Sequence, residues 1–145
     1  MLEGLRVRYM LDTNVFDRIV ALPGMVELLN RKSKQGKLQI LTTLVQEEEL
    51  SAIRDRIKRR AAQRVERQVV PASGPPQGGS GNGADLTGLA PSPKHTSDAL
   101  IGATAAWGVD YLVTEDARFA QRVRNSPAPC RVIGFDEFRS LVMKE

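Results

Sequence analysis

Four groups of carboxylates, far apart in the chain, are predicted to meet at one edge of the fold. Each stands at the end of a predicted strand or in the first turns of a predicted helix. The groups are Asp12, the run Glu47-Glu48-Glu49, Asp98 and Asp116. In an open parallel sheet such positions fall at the same rim, where ligands and catalytic groups gather. Acids in first helical turns also suit the helix dipole, which explains any one of them taken singly.

Carboxylates that share a rim repel each other. Two of them about 4 Å apart repel by roughly 4 kcal/mol at an effective dielectric constant of 20. A divalent cation removes that cost, and Mg²⁺ and Mn²⁺ prefer such oxygen ligands while they keep several waters and bind substrate phosphates. The pattern of acids therefore predicts a magnesium or manganese site.

The elements that must position these acids alternate between strand and helix along the chain. Strands rich in β-forming residues are predicted at 6–11, 38–41, 111–113 and 131–135. Helices, with apolar residues at three- and four-residue steps, are predicted at 15–22, 25–34, 44–68, 95–107, 117–124 and 137–144. This alternation favours a parallel sheet with helices on both sides, within one domain that spans all 145 residues.

Asp12 stands between the first predicted strand and the helix that follows it, and two interpretations are open. If Thr13 or Asn14 caps the helix, Asp12 is left to point into a crevice. Otherwise Asp12 is itself the helix cap. This stretch of residues does not decide between them.

Composition narrows the classes of function. A net charge of +4 and a pI near 9.6 fit an anionic partner. The single cysteine, Cys130, excludes an internal disulfide and a cysteine-based zinc site, and it favours a reducing, intracellular setting. No apolar run approaches the ~20 residues of a membrane span, and charged residues come too early for a secretory leader. A cytoplasmic protein without a membrane partner is expected.

Two segments differ in composition from the rest. Residues 71–94 are rich in Gly, Pro and Ser with almost no apolar residues. Such a segment cannot bury enough surface to offset its ordering entropy, so a flexible loop inside the domain is predicted. The predicted helix 44–68 carries a dense basic face opposite its apolar one. A solvated surface is the usual role of such a face, and binding of phosphates or of an acidic partner is the functional alternative.

Three stretches of the sequence resemble PIN domains, most closely the VapC-type toxin ribonucleases of toxin–antitoxin modules. They are MLDTNVF, TTLVQEEEL and SDALIGATAAWGVDYLVTEDARF, and together they span nearly the whole chain in the expected order. The resemblance implies a three-layer α/β/α fold with the sheet order 3-2-1-4-5 and a metal-dependent RNase site. By motif position its acids are Asp12, Glu49, Asp98 and Asp116, and the positions that support them are Asn14 and Thr114. Glu48 is the alternative to Glu49, because three glutamates occupy that region.

The function predicted from this resemblance is that of a metal-dependent endoribonuclease. Asp12, Asp98 and Asp116 are expected to hold one or two Mg²⁺ or Mn²⁺ ions, and Glu49 to ligate or orient the attacking water. The basic residues expected to hold the RNA backbone are Arg54, Arg59, Arg118 and Arg122. A cognate antitoxin is the expected protein partner. A homodimer is also expected, with the apolar side of residues 25–29 and the helix 44–68 as its candidate surface.

Two other classes of function stay open. A PIN-like module that binds RNA or a protein without cutting is one of them, although all four acids are present. A magnesium-dependent phosphatase on a similar sheet is the other, with Asp12 as its nucleophile. That chemistry usually has a second aspartate two residues further on, and Asn14 stands at that place.

Overall fold

A computed structural model describes residues 6–71, 96–126 and 130–144, with the side chains of residues 96–99 and 105 outside the description. Within these ranges the chain forms five strands and seven helices. The strands are β1 (Val7–Leu11), β2 (Leu38–Thr43), β3 (Gln68–Val70), β4 (Tyr111–Val113) and β5 (Arg131–Ile133). The helices are α1 (Thr13–Ala21), α2 (Met25–Lys34), α3 (Leu44–Ser51), α4 (Arg56–Gln63), α5 (Thr96–Trp107), α6 (Ala117–Arg124) and α7 (Phe135–Lys144).

The strands form one parallel sheet in the order β3-β2-β1-β4-β5, as predicted. The order reverses at β1, because β2 and β3 lie on one side of it and β4 and β5 on the other. In such sheets ligands bind outside the carboxyl ends of the strands at the point of reversal. The pairing of Leu11 with Val113 brings Asp12 and Thr114, the next residue of each strand, to this point.

Apolar layers cover both faces of the sheet. Alternate residues of β1 supply them, with Tyr9 and Leu11 on one face and Met10 on the other. The first layer packs against residues of α1, α2, α4 and α7, and the second against residues of α5 and α6. The fold is therefore the three-layer α/β/α arrangement predicted from the sequence.

The prediction of a single helix over residues 44–68 is wrong. The chain forms α3 and α4 there, followed by β3. Asp55 ends the continuity, because its Oδ1 accepts hydrogen bonds from the backbone N–H groups of Ile57 (3.0 Å) and Lys58 (3.1 Å) and so starts a new helix. Leu44 and Ile57 belong to the apolar face that the helical spacing predicted to be buried. Both are exposed, and the exposed fraction of Ile57 is 80%.

The other predicted elements are present with small changes in their ends. Helix α1 begins two residues before its predicted start, and so does α7. Strand β2 extends two residues further than predicted. The loop predicted for 71–94 lies outside the described residues, apart from Pro71. Among the described helices none is both long enough and apolar enough to span a membrane.

The start of α4 gives a first prediction. Replacement Asp55→Ala removes the cap and leaves two backbone N–H groups unpaired, which lowers the free energy of unfolding by about 1 kcal/mol. Urea denaturation followed by circular dichroism measures the change. Asp17→Ala is the matched control, since Asp17 is an exposed helical residue with one surface ion pair. A loss at position 55 no larger than that of the control would contradict the assignment of the cap.

Candidate active site

Asp12 and Asp116 lie just beyond the carboxyl ends of β1 and β4, on either side of the point where the sheet order reverses. Thr114 connects them. Its hydroxyl donates to Oδ2 of Asp12 (2.7 Å) and accepts a hydrogen bond from the backbone N–H of Asp116 (3.0 Å). Thr114 is buried, so this hydroxyl has little freedom to move. One neutral side chain therefore sets the spacing of the two acids.

Each of these aspartates also caps a helix. Oδ1 of Asp12 accepts from the backbone N–H of Thr13 (2.7 Å) at the start of α1. Oδ1 of Asp116 accepts from the backbone N–H groups of Arg118 (3.0 Å) and Phe119 (3.1 Å) at the start of α6. The interpretation in which Thr13 or Asn14 caps α1 and leaves Asp12 unengaged is thus wrong. A helix N-terminus favours negative charge, so each carboxylate lies at a favourable end of its helix.

The three consecutive glutamates point in different directions, as a rotation of 100° per helical residue requires. Glu49 faces the aspartates, and its Oε1 accepts the hydroxyl hydrogen of Thr13 at 2.6 Å. Glu47 turns away to Arg67, which binds it through two hydrogen bonds of 2.7 Å. Glu48 is exposed. The structure therefore brings Glu49, the predicted member of the run, next to Asp12.

Helix α3, which carries Glu49, is anchored at its start. Thr43 and Gln46 form a capping box, in which each side chain binds the backbone N–H of the other. The side-chain amide of Gln46 also donates to the carbonyl of Leu11, the residue before Asp12. The Glu47–Arg67 pair ties the same turn to the segment that follows α4. These contacts hold α3 against the end of β1.

The electrostatics of the site are those of acids that lie close to one another. Burial raises the pKa of Asp12 above its ordinary 3.8, and the negative charges of Asp116 and Glu49 raise it further, against the lowering effect of the hydrogen bonds from Thr114 and Thr13. By contrast, Arg67 holds the pKa of Glu47 below its ordinary value. The ion pair therefore separates Glu47 from the group of acids that face the rim.

Asp12, Glu49 and Asp116 present the oxygen donors that a hard divalent cation prefers. Within the described side chains, which do not include that of Asp98, no three acid, histidine or cysteine side chains are arranged to hold a cation by themselves. Asp98 lies in the first turn of α5, and its place in the site stays a prediction because its side chain is outside the description.

Asn14 and Glu115, on either side of the acids, support the loop after β4. The side-chain oxygen of Asn14 accepts from the backbone N–H of Glu115 at 3.4 Å, so it contacts the loop, and its support of an acid stays a prediction. Glu115 itself accepts from the backbone N–H of Phe135 (2.8 Å) and pairs with Arg18 (3.1 Å). Its carboxylate therefore binds the backbone at the start of α7.

The predicted basic face is divided by the break between α3 and α4. Arg59 donates to the carbonyl of Ile53 (2.9 Å), and Arg64 pairs with Glu27 (3.0 Å), so both serve the fold. Arg54 is exposed, as are Arg118 and Arg122 of α6. Their contact with RNA stays a prediction.

The part of the predicted homodimer surface that lies on α2 is not available. Met25, Val26 and Leu29, its apolar residues in α2, are buried in the protein's own core, where they pack against the sheet. The homodimer itself stays a prediction, as does the part of its surface on residues 44–68, where Leu44 and Ile57 are exposed.

Two residues that the sequence did not single out belong to this region. Thr13 holds Glu49 through a bond across 36 positions, for which no local pattern exists. Gln46 stands three residues after Thr43, which is the spacing of a capping box, and that signal was present in the sequence.

The fold of this chain is similar, over most of its length, to that of a solved structure. No family model matches the chain, and no curated protein matches it. The chain is similar to one from the crystal structure of VapBC2 from Rickettsia felis bound to a DNA fragment from their promoter, with a TM-score of 0.51 and 13% identity. The similarity covers 88% of this chain and 98% of that one. It shows that this protein has the VapC-like α/β fold implied by its motifs.

Proposed function

We propose that this protein is a metal-dependent endoribonuclease that hydrolyses RNA phosphodiester bonds, as the toxin of a VapBC-type pair. The observation that carries the proposal is the convergence of Asp12, Glu49 and Asp116 at the reversal point of the sheet, with Thr114 between the two aspartates. The VapC-like fold supports the proposal, because that class of nuclease places its acids at the same edge.

The donor set fits Mg²⁺ or Mn²⁺. Its carboxylates are hard oxygen ligands, and the raised pKa of Asp12 records its burial and the negative charges of Asp116 and Glu49 beside it. In the proposed site Asp12 and Asp116 would hold the cation, together with Asp98. A bound cation supplies a water of lowered pKa and stabilises charge on the phosphate during in-line attack.

The chain's own groups then have separate roles. Glu49 orients the attacking water and takes its proton, while the hydroxyl of Thr13 keeps the Glu49 carboxylate beside Asp12. Thr114 holds the spacing of the aspartates. Because the acids repel an RNA backbone, binding needs exposed cations nearby, and Arg118 stands two residues beyond Asp116. RNA binding should therefore weaken steeply as salt is added.

The proposed protein partner is an antitoxin. The VapBC2 structure of similar fold is a complex with promoter DNA, and a VapBC-type toxin has an antitoxin as its partner. Such a partner offers a way to shield the acid rim when the nuclease must be silent.

The nuclease proposal predicts the effect of Asp12→Asn. With Mn²⁺ and a structured RNA, cleavage should fall at least about 100-fold, because even outer contacts of a metal ligand are worth 10- to 100-fold. Asp17→Asn, an exposed aspartate on the same helix, is the control and should cleave normally. Gel analysis of RNA fragments measures the rates, and circular dichroism confirms that both variants are folded.

Full activity of Asp12→Asn would remove the nuclease proposal. Mn²⁺ binding by the unaltered protein without any RNA cleavage would instead support a module that binds without cutting. Hydrolysis of p-nitrophenyl phosphate with the RNA left intact would support the phosphatase alternative.

The raised pKa of Asp12 predicts a stability effect of the same substitution. With a chelator present, Asp12→Asn should be more stable than the unaltered protein at pH 7, since an ionised Asp12 is disfavoured by burial and by its acidic neighbours. A raised carboxyl pKa means that the stabilising effect of the proton is present below about pH 4 and is lost as the pH rises through the raised value. The advantage of the variant should therefore vanish as the pH falls toward 4.

Saturating Mn²⁺ should reverse this order. A ligand at 100 times its Kd adds about 2.7 kcal/mol to the unfolding free energy of the protein that binds it, and Asp12→Asn should gain much less. Thermal unfolding with and without Mn²⁺ measures both effects. An unaltered protein that is the more stable at pH 7 in chelator would contradict the account of the charge at this site.

The contact between Thr13 and Glu49 gives a further prediction. Thr13→Val keeps the shape and removes the hydroxyl, so it should lower the rate of cleavage about 10-fold or more. Thr13→Ser keeps the hydroxyl and should restore most of the rate. Equal rates for the valine and serine variants would show that the hydrogen bond to Glu49 does not matter for cleavage.

A further inference from the structure

We infer that Gln46 is a positioning residue. Its side-chain amide replaces a backbone hydrogen bond between β1 and β2 and thereby holds Glu49 beside Asp12. The inference rests on the proposed function for the role of those acids. Gln46 and Leu11, on different elements, are both fully buried. The side-chain amide of Gln46 donates to the carbonyl of Leu11, while its Oε1 accepts the backbone N–H of Thr43 at 2.9 Å.

The alternation of the backbone shows what this amide replaces. The N–H of Val7 donates toward β2, to the carbonyl of Lys37, and the N–H of Asp12 donates toward β4, to that of Val113. Odd-numbered residues of β1 therefore direct their polar groups toward β2, and Leu11 is one of them.

In a parallel ladder with this register, the partner of the Leu11 carbonyl would be the N–H of Thr43, two residues beyond Leu41, which pairs with Met10. That N–H is bound to Gln46 instead. The carboxamide therefore lies between Leu11 and Thr43, donates to one and accepts from the other, and takes the place of one peptide group. The ends of β1 and β2 are therefore separated by the width of one amide group, and the hydrogen bonds of that amide connect them.

This spacing bears directly on the acids. Asp12 follows Leu11, and α3 begins at the residue after Thr43, so the inserted amide sets the distance between the two points from which the acids are presented. Glu49 lies three residues after Gln46, about one helical turn, and reaches Thr13 with a 2.6 Å contact that tolerates little movement of α3. A change in the Gln46 bridge must therefore move Glu49 relative to Asp12.

The test compares Gln46→Met with Gln39→Met. Methionine has nearly the size of glutamine and neither the donor nor the acceptor of its amide, while the Gln39 amide bonds to that of Gln68 on the adjacent strand, remote from the acids. The measurements are the Mn²⁺ affinity by calorimetry and kcat and KM for RNA. Gln46→Met should lower kcat by about 10- to 100-fold with KM for RNA and the Mn²⁺ affinity unchanged, and Gln39→Met should change none of them.

A double-mutant cycle with Glu49→Gln separates positioning from a general loss of stability. If Gln46 acts through Glu49, Gln46→Met should have no further effect on kcat once Glu49→Gln is present. Effects on kcat that multiply in the double variant would overturn the inference, as would a folded Gln46→Met variant with unaltered kcat. Should Gln46→Met fail to fold, Gln46→Asn carries the same test, because its amide is one methylene too short to bridge both partners.

A readout without metal or RNA distinguishes this inference from the proposed function. In the metal-free protein, the nuclear Overhauser contact between the side chains of Thr13 and Glu49 should be lost in Gln46→Met and kept in Gln39→Met. Its retention in both would overturn the role of Gln46. Its selective loss, in a protein that neither binds Mn²⁺ nor cleaves RNA, would refute the nuclease proposal and leave the positioning role in place.

Discussion

Repulsion among carboxylates that share one rim of the sheet is the constraint on which the candidate site depends. The fold places Asp12, Glu49 and Asp116 together, with helix N-termini and a threonine hydroxyl against the two aspartates. Other acids close in sequence are neutralised, Glu47 by Arg67 and Glu115 by Arg18. The described acids therefore divide into those paired with an arginine for structure and those that face the rim. Stability alone would not select such a division, because burial and the neighbouring acids disfavour the ionised form of Asp12.

The parts of this arrangement that local sequence predicts are those in which one short segment carries its own signal. An apolar run that ends on a carboxylate marks the exits of β1 and β4, and the bounds of β4, α2 and α6 follow from their flanking glycine, proline and acid residues. The prediction of one helix over residues 44–68 was wrong because the local signal there was misleading. Apolar residues on either side of the break happened to keep a helical spacing, and Asp55, a cap, was hidden within a basic run. Strand β3, with three residues, is too short to show any period.

The contacts within the site were less predictable, because they join positions far apart in the chain. The choice of Glu49 over its neighbours follows from the direction of α3, and that direction depends on bonds to Leu11 and Arg67 across 35 and 20 positions. No single segment contains this information. Local sequence therefore identifies which residues belong to the rim, while long-range hydrogen bonds decide how their side chains are arranged there.

The acids of the site extend from places where two elements of the fold meet. There are three such junctions among the described residues, and a neutral polar side chain fixes each of them. Thr114 joins the exits of β1 and β4, Gln46 joins those of β1 and β2, and Thr13 joins α1 to α3. A lysine or arginine at any of these places could donate to the same partners, but it has no acceptor for the N–H groups of Asp116 and Thr43, and it would neutralise the acids and compete with a divalent cation. Hydroxyl and amide groups hold the same geometry and add no charge. The use of neutral groups at all three junctions is thus what a rim that must stay rigid and negative requires.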